Sequence, residues 1–205
     1  TVVLTGHIRP DGDAIGSSAA MFHFLGLCGK QDRLLVLNDN CPRFLGFIRE
    51  SIPQEALIIR EESQHKAFDA IEQADLIICL DFHAFHRTGC LEKPLAESKA
   101  KKILIDHHLD PDRSLYDISF SQNDISSASE LVFWILMATP QINGNAEKFP
   151  PAGATALMTG MTTDTNNFGN SVYPSTLTMA SELLRAGVDR DMILQKINQE
   201  HSESR

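Results

Sequence analysis

The feature that most restricts the fold is a set of short apolar runs, too brief for helices and too continuous for half-exposed strands. They are Val2–Thr5, Leu34–Leu37, Ala56–Ile59, Leu76–Leu80 and Lys102–Ile105. A strand with one wet face alternates apolar and polar residues, whereas a continuous run is buried on both faces. Parallel strands covered by helices have this character. The stretches between them carry apolar residues at helical spacing. Ala14–Cys28 lines up Ile15, Ala19, Phe22 and Leu25 and stops at Gly29, and helices are also expected near His65–Gln73 and over Leu91–Ser98. After residue 125 the strands cease. Ser126–Ala138, Ala152–Met161, Ser175–Ala186 and Asp189–Asn198 read as helices, with a loop rich in Pro, Asn and Gly over Thr139–Pro151. The expected fold is α/β, a parallel sheet of right-handed crossover units flanked by helices and followed by a helical segment.

Composition narrows the function. Lys and Arg number 18 against 27 Asp and Glu, a net charge of −9, which excludes a basic nucleic-acid-coating protein. Phosphate chemistry stays open, because bound cations reverse the local sign. The four cysteines, Cys28, Cys41, Cys79 and Cys90, form no C-x-x-C pair. They point to a reducing, cytoplasmic setting without a disulfide framework. No apolar run approaches the ~18 residues of a membrane span, and no secretory signal is expected. The chain opens on Thr1 directly into a strand, so a few preceding residues are expected.

Ligands bind open parallel sheets at the carboxyl ends of the strands. The first strand runs into Gly6-His7-Ile8-Arg9-Pro10-Asp11-Gly12-Asp13, where a turn gathers His7, Asp11 and Asp13. The alternative reading makes Asp13 a helix N-cap and His7 an ordinary polar end residue. Leu76–Leu80 ends in Asp81. Lys102–Ile105 ends in Asp106-His107-His108, two adjacent imidazoles that packing does not explain. Asp164 falls where the helical pattern from Ala152 gives way to polar residues, and it is the only carboxylate between Glu147 and Glu182. All these groups map to one edge of the sheet. Carboxylates so gathered repel one another unless cations neutralise them. An oxygen-rich set with some imidazole suits Mn²⁺ or Mg²⁺, and its size suggests two ions sharing a carboxylate.

The blocks GHIRPDGDAIGS and DHH, with Asp81 and Asp164, resemble motifs I to IV of the DHH phosphoesterase superfamily across nearly the whole chain. The sequence is most similar to the bacterial nano-RNase/pAp phosphatase group, also called bifunctional oligoribonuclease or exopolyphosphatase-related. The resemblance implies two divalent metal ions, Mn²⁺ first and Mg²⁺ as the alternative. His7 and Asp11 would hold one ion, Asp13, His107 and Asp164 the other, and Asp81 would bridge them. His108 would contact the scissile phosphate or leaving group, with Asp106 orienting a histidine. The implied activity is hydrolysis of short oligoribonucleotides from an end, and of 3′-phosphoadenosine 5′-phosphate, through a water activated by two metals. Alternatives are linear or cyclic dinucleotide phosphodiesterase, exopolyphosphatase, and a non-catalytic nucleotide-sensing module. A dinucleotide-binding oxidoreductase would need G-x-G-x-x-G where His7-x-x-x-Asp11 stands.

Arg87, six residues beyond Asp81, would suit a phosphate oxygen, with a solvated arginine as the equal alternative. His83 and His86 read as surface-loop residues, His23 as a packing or surface residue, and Phe168 as a core aromatic, with base stacking the lesser reading. Family members carry a C-terminal substrate-binding domain with a glycine-rich motif that this sequence lacks. Residues 1–198 are therefore expected to form the catalytic domain and 199–205 the start of a linker. The resemblance also allows a homodimer.

Overall fold

The computed structural model describes residues 1–203. Six strands form one sheet: β1 (Val2–Thr5), β2 (Arg33–Leu37), β3 (Leu57–Ile59), β4 (Leu76–Leu80), β5 (Lys101–Asp106) and β6 (Ile118–Ser121). Every neighbouring pair is parallel, and the order is β3-β2-β1-β4-β5-β6. The helices are α1 (Gly12–Leu27), α2 (Gly46–Arg49), α3 (Gln64–Glu72), α4 (Glu92–Glu97), α5 (Ala128–Met137), α6 (Pro151–Asp164), α7 (Pro174–Arg185) and α8 (Arg190–Glu203). No described helix is long and apolar enough to cross a membrane.

Successive strand residues point to opposite faces, and both faces are covered. Leu4, Leu37 and Leu80 pack with Phe22, Phe133, Leu157 and Met161 beneath α1, α5 and α6. Val3, Val36, Ile77 and Leu104 pack with Ile71, Leu91 and Leu95 beneath α3 and α4. The expected α/β sheet and helical segment are therefore present. The sequence reading missed β6, an edge strand whose Ile118 and Phe120 are exposed, so it leaves no continuous apolar run. It also stopped α6 at Met161, whereas the helix continues through polar Thr162 and Thr163 to Asp164. Helix α8 runs through residues 199–203, where a linker was expected to begin, and 204–205 lie outside the described residues.

From β1 the chain works outward to β3, then returns to add β4 on the other side of β1. At this switch point the loops leaving β1 and β4 diverge and open a crevice at the carboxyl edge. One wall of the crevice is carried by α6, which packs tightly on α1 and α5. A Cβ built on Gly16 would stand 2.5 Å from the Ala156 carbonyl oxygen, and one on Gly160 would stand 1.9 Å from Ser129 Oγ. Only glycine permits this approach. By contrast, Gly46 sits in right-handed helical backbone with no neighbour within 4 Å of a built Cβ.

Gly16→Ala and Gly160→Ala should therefore each lose about 1–3 kcal/mol. Gly46→Ala should be neutral, or stabilising by less than about 1 kcal/mol. Denaturant unfolding midpoints check this, and equal effects at the three positions would contradict the packing described.

Candidate active site

Each loop at the carboxyl edge brings one part of a His/Asp cluster. After β1, the Asp11 side chain caps α1, accepting from the backbone N–H groups of Asp13 and Ala14 at 3.0 Å. The cap is thus Asp11, not Asp13. Asp13 lies in the first helical turn, fully buried, and accepts from the Ala128 and Ser129 N–H groups at 2.7 and 2.8 Å. Those amides open α5, so the positive end of that helix faces the carboxylate. The His7 ring bonds the Ile8 carbonyl through Nδ1 at 2.7 Å, which turns Nε2 toward the crevice.

Asp81, just beyond β4, is the centre of the cluster. Its backbone is left-handed at φ 63°, a strained conformation for a residue other than glycine. Its two oxygens face different partners: Oδ2 lies 3.3 Å from His7 Nε2, and Oδ1 lies 3.4 Å from His107 Nε2. His7 Nε2 is also 3.6 Å from Asp11, while His107 Nε2 is 3.6 Å from Asp13 and 3.4 Å from Asp164. Among the described residues four ligand groups have metal-binding spacing: His7-Asp11-Asp81, Asp13-His107-Asp164, Asp81-His107-His108 and His83-Asp106-His108. Asp81 Oδ1 is buried without a hydrogen bond, and no Lys or Arg forms an ion pair with the cluster among the described residues. Orphaned buried acceptors and unneutralised acids are what a divalent cation would satisfy.

Asp106 ends β5, fully buried, and accepts from His108 Nδ1 at 2.7 Å and from the His108 N–H at 3.2 Å. This leaves His108 half exposed, with Nε2 free of partners among the described residues. The structure thus brings together His7, Asp11, Asp13, Asp81, Asp106, His107, His108 and Asp164. It leaves Arg87 exposed at the rim. The Arg87 carbonyl accepts from the Ile8 N–H at 2.8 Å, and its guanidinium forms no ion pair among the described residues.

His83 corrects the sequence reading. It is half-buried, its ring centroid is 6.0 Å from that of His108, and its Nδ1 is buried without a partner. Its position near Asp81 was visible, but the turn folding it back was not. His86 is exposed, His23 is bonded to Ser51 at 2.9 Å, and Phe168 packs against the core beneath Arg190. All four cysteines are free.

The model for the N-terminal domain of the DHH family matches residues 1–161. The chain belongs to the DHH family. This DHH chain is 28% identical over 206 residues to the bifunctional oligoribonuclease and PAP phosphatase NrnA of Mycoplasma genitalium, covering 96% of the chain and 57% of the relative. It is 26% identical to the cyclic-di-AMP phosphodiesterase GdpP of Bacillus subtilis, covering 99% of the chain and 30% of the relative. The crystal structure of an exopolyphosphatase-related protein from Bacteroides fragilis superposes with a TM-score of 0.87 at 35% identity, over 97% of the chain and 56% of that protein. The DHH chain thus spans about half, or less, of the length of the relatives it matches. Their phosphatase and phosphodiesterase names are consistent with a phosphoric ester hydrolase.

Without a cation, protons balance the DHH cluster. Burial pushes the Asp13 carboxyl well up and Asp164 up to about 6, in both cases with Asp81 adding repulsion. Burial opposes charge on His7, but Asp11 and Asp81 outweigh it and raise the imidazole to about 10. Each group binds its proton more tightly folded than unfolded, so stability falls as these protons leave. For Asp164 the loss runs from its ordinary value of 3.8 to about 6, and for His7 from 6.5 to about 10. Asp81, drawn below its usual range by His107 and His7 despite burial, titrates under this window.

The melting temperature in EDTA should therefore fall from pH 5 to pH 9. Mn²⁺ should raise it most at the alkaline end, where no proton competes for the ligands. A metal-free melting temperature that climbs across this range would refute the electrostatic account.

Proposed function

We propose that this chain carries the hydrolytic centre of a two-metal phosphoesterase acting on short oligoribonucleotides and on 3′-phosphoadenosine 5′-phosphate. The observation that carries the reading is Asp81, whose two oxygens face two histidines, each backed by its own acids. His7 and Asp11 would hold one divalent ion, Asp13, His107 and Asp164 the second, and Asp81 both. Mn²⁺ is the preferred ion and Mg²⁺ the alternative, since the donors are carboxylates and imidazoles without thiolate. When bound, the ions neutralise phosphate charge and acidify a water for in-line attack on phosphorus.

The remaining work falls to side chains of the chain itself. Asp106 fixes the His108 tautomer by accepting at Nδ1, which aims Nε2 at a phosphate or leaving oxygen. Arg87, exposed at the rim, would meet a further phosphate oxygen if its guanidinium turned inward. The acidic composition favours short substrates, since a nuclease tracking long strands uses a basic groove. The whole protein would add a C-terminal substrate-gripping domain after the catalytic domain of residues 1–198. The GdpP relative keeps cyclic dinucleotides as the second reading.

In a Mn²⁺ assay with di- to pentaribonucleotides, 3′-phosphoadenosine 5′-phosphate, cyclic dinucleotides and polyphosphate, the first two classes should be hydrolysed fastest. Preference for another class would replace the substrate assignment. Asp81→Ala should abolish turnover, and retained activity would sink the two-metal reading. His108→Ala should lower turnover by roughly 10²–10⁴-fold while bound metal stays constant. Loss of metal from that variant would reverse the roles given to the two histidines.

A further inference from the structure

Nine arginines lie within the described residues, and five have side-chain partners. Arg49 pairs with Glu62, Arg60 with Asp39 and Arg185 with Glu182. Arg33 donates to two carbonyls, and Arg190 bonds Asn167. The other four, Arg9, Arg43, Arg87 and Arg113, are exposed, with no guanidinium partner among the described residues. They stand in the segments that leave the carboxyl ends of β1, β2, β4 and β5, respectively. Three of those strands, β1, β4 and β5, also supply the His/Asp cluster.

Arg9 is the nearest of the four to the cluster along the chain, two residues from His7 and two from Asp11. Its backbone is left-handed (φ 49°), which is uncommon for a long side chain and collects where function requires it. Pro10 narrows its conformations further. On one flank the Arg9 N–H donates to Asp39 Oδ2, just beyond β2. Asp39 Oδ1 accepts from Asn38 Nδ2 at 2.7 Å and faces Arg60 at 4.0 Å, so this carboxylate is already engaged. On the other flank the Ile8 N–H donates to the Arg87 carbonyl at 2.8 Å. Gly89 (φ 61°) permits this approach, since a Cβ there would stand 2.6 Å from Ile8 Cγ2. The main chain around Arg9 is thus tied to both neighbouring loops, while its guanidinium is free.

A held backbone that carries a free guanidinium beside a metal-binding cluster suits a second anionic group on the same substrate. The planar fork of donors matches phosphate oxygens. A terminal phosphomonoester carries nearly two charges and a bridging diester one, so attraction favours the terminal group. We propose that Arg9 binds a phosphate that is not cleaved, a terminal phosphomonoester on the nucleoside that bears the scissile phosphate. The proposal rests on the phosphoesterase reading above and adds which substrates are selected. It also gives 3′-phosphoadenosine 5′-phosphate and 5′-phosphorylated oligoribonucleotides one shared determinant.

Adenosine 3′-monophosphate and 3′-phosphoadenosine 5′-phosphate differ only in this second phosphate. Their affinities for the chain are compared by isothermal titration in Ca²⁺, a hard cation suited to carboxylate ligands. Hydrolysis of both, and of bis(p-nitrophenyl) phosphate, is measured in Mn²⁺. The parent should bind the bisphosphate at least about tenfold more tightly. Arg9→Asn, which tolerates the left-handed backbone, should bring the two affinities to within about twofold. Arg9→Lys should keep part of the preference, and Arg113→Gln, which removes the same charge elsewhere, all of it. In hydrolysis the loss should appear in KM and not in kcat. Every variant should cleave the nucleobase-free diester at the parent rate, which also shows that it folds. A parent without the preference, a preference that survives in Arg9→Asn, or an equal loss in Arg113→Gln overturns the phosphate site while leaving hydrolysis standing. A preference that depends on Arg9 in a chain that cleaves no phosphate ester overturns the phosphoesterase reading alone.

Discussion

The contact of α6 with α1 sets how the site can form. Asp164 sits at the last turn of a helix more than 150 residues from His7 in sequence, and only close antiparallel packing of α6 on α1 brings its carboxyl to the loop after β1. A side chain at position 16 would wedge α1 from α6, and one at position 160 would press on Ser129 of α5. The same layer includes α5, whose first amides reach Asp13. Those amides are held by Glu130, a buried carboxylate that accepts from the Ser126 N–H at 3.0 Å, Thr176 Oγ1 at 2.8 Å and Trp134 Nε1 at 3.3 Å. Three helices and a loop therefore share one polar joint behind the cluster. A partly satisfied joint of this kind is costly, and here both carboxylates, Asp13 and Glu130, have each oxygen engaged, while the Ser129 hydroxyl is left without a partner.

The electrostatics work against the fold at the same place. Asp13 and Asp81 are buried beside half-buried Asp164. Helix amides answer Asp13, and imidazoles answer Asp81, but no permanent cation is supplied. Charge left uncompensated in a buried site is costly unless protons or metal ions enter. The left-handed backbone of Asp81 adds strain at the same atom group. Strain and like charge in one place are the local violations of stability expected where a site has been kept for chemistry. The negative net charge of the chain, which first spoke against nucleic acid, is thus in part the carboxylates gathered at this one edge.

How much was legible follows from which forces leave a mark on sequence. Double-sided burial writes continuous apolar runs, so β1 to β5 and their sheet could be read directly. The edge strand β6 is wetted, and its Ile-Ser-Phe-Ser carries no such mark. Residue chemistry at the strand ends was legible too, since His, Asp and their spacing survive in one dimension. The capping role of Asp11, the burial of Asp13 and the opposed oxygens of Asp81 were not, because each depends on partners far along the chain. His83 was misread for that reason. Phe85 packs edge-on against Tyr116 at 5.6 Å, and the Tyr116 hydroxyl donates to the His83 carbonyl at 3.3 Å, which draws the loop inward.

The strand order around β1 is one that open α/β sheets use for many ligands, so the fold alone selects no reaction. Selection comes from what replaces the usual connections. Between β5 and β6, both parallel, the chain makes its return without an α-helix, through a loop with one short 3-10 turn at Arg113–Leu115. That loop begins with His107 and His108, whose ring centroids are 4.6 Å apart. Asp106 remains in the strand, its carbonyl accepting from the Gln122 N–H at 3.2 Å, so it is rigid and can hold one ring. The His107 ring lies beside it with Nε2 3.4 Å from Asp81 Oδ1, the same oxygen that His108 Nδ1 approaches to 3.9 Å. The fixed acid therefore holds one ring of the pair, His108, and leaves its neighbour His107 to Asp13, Asp81 and Asp164 across the crevice.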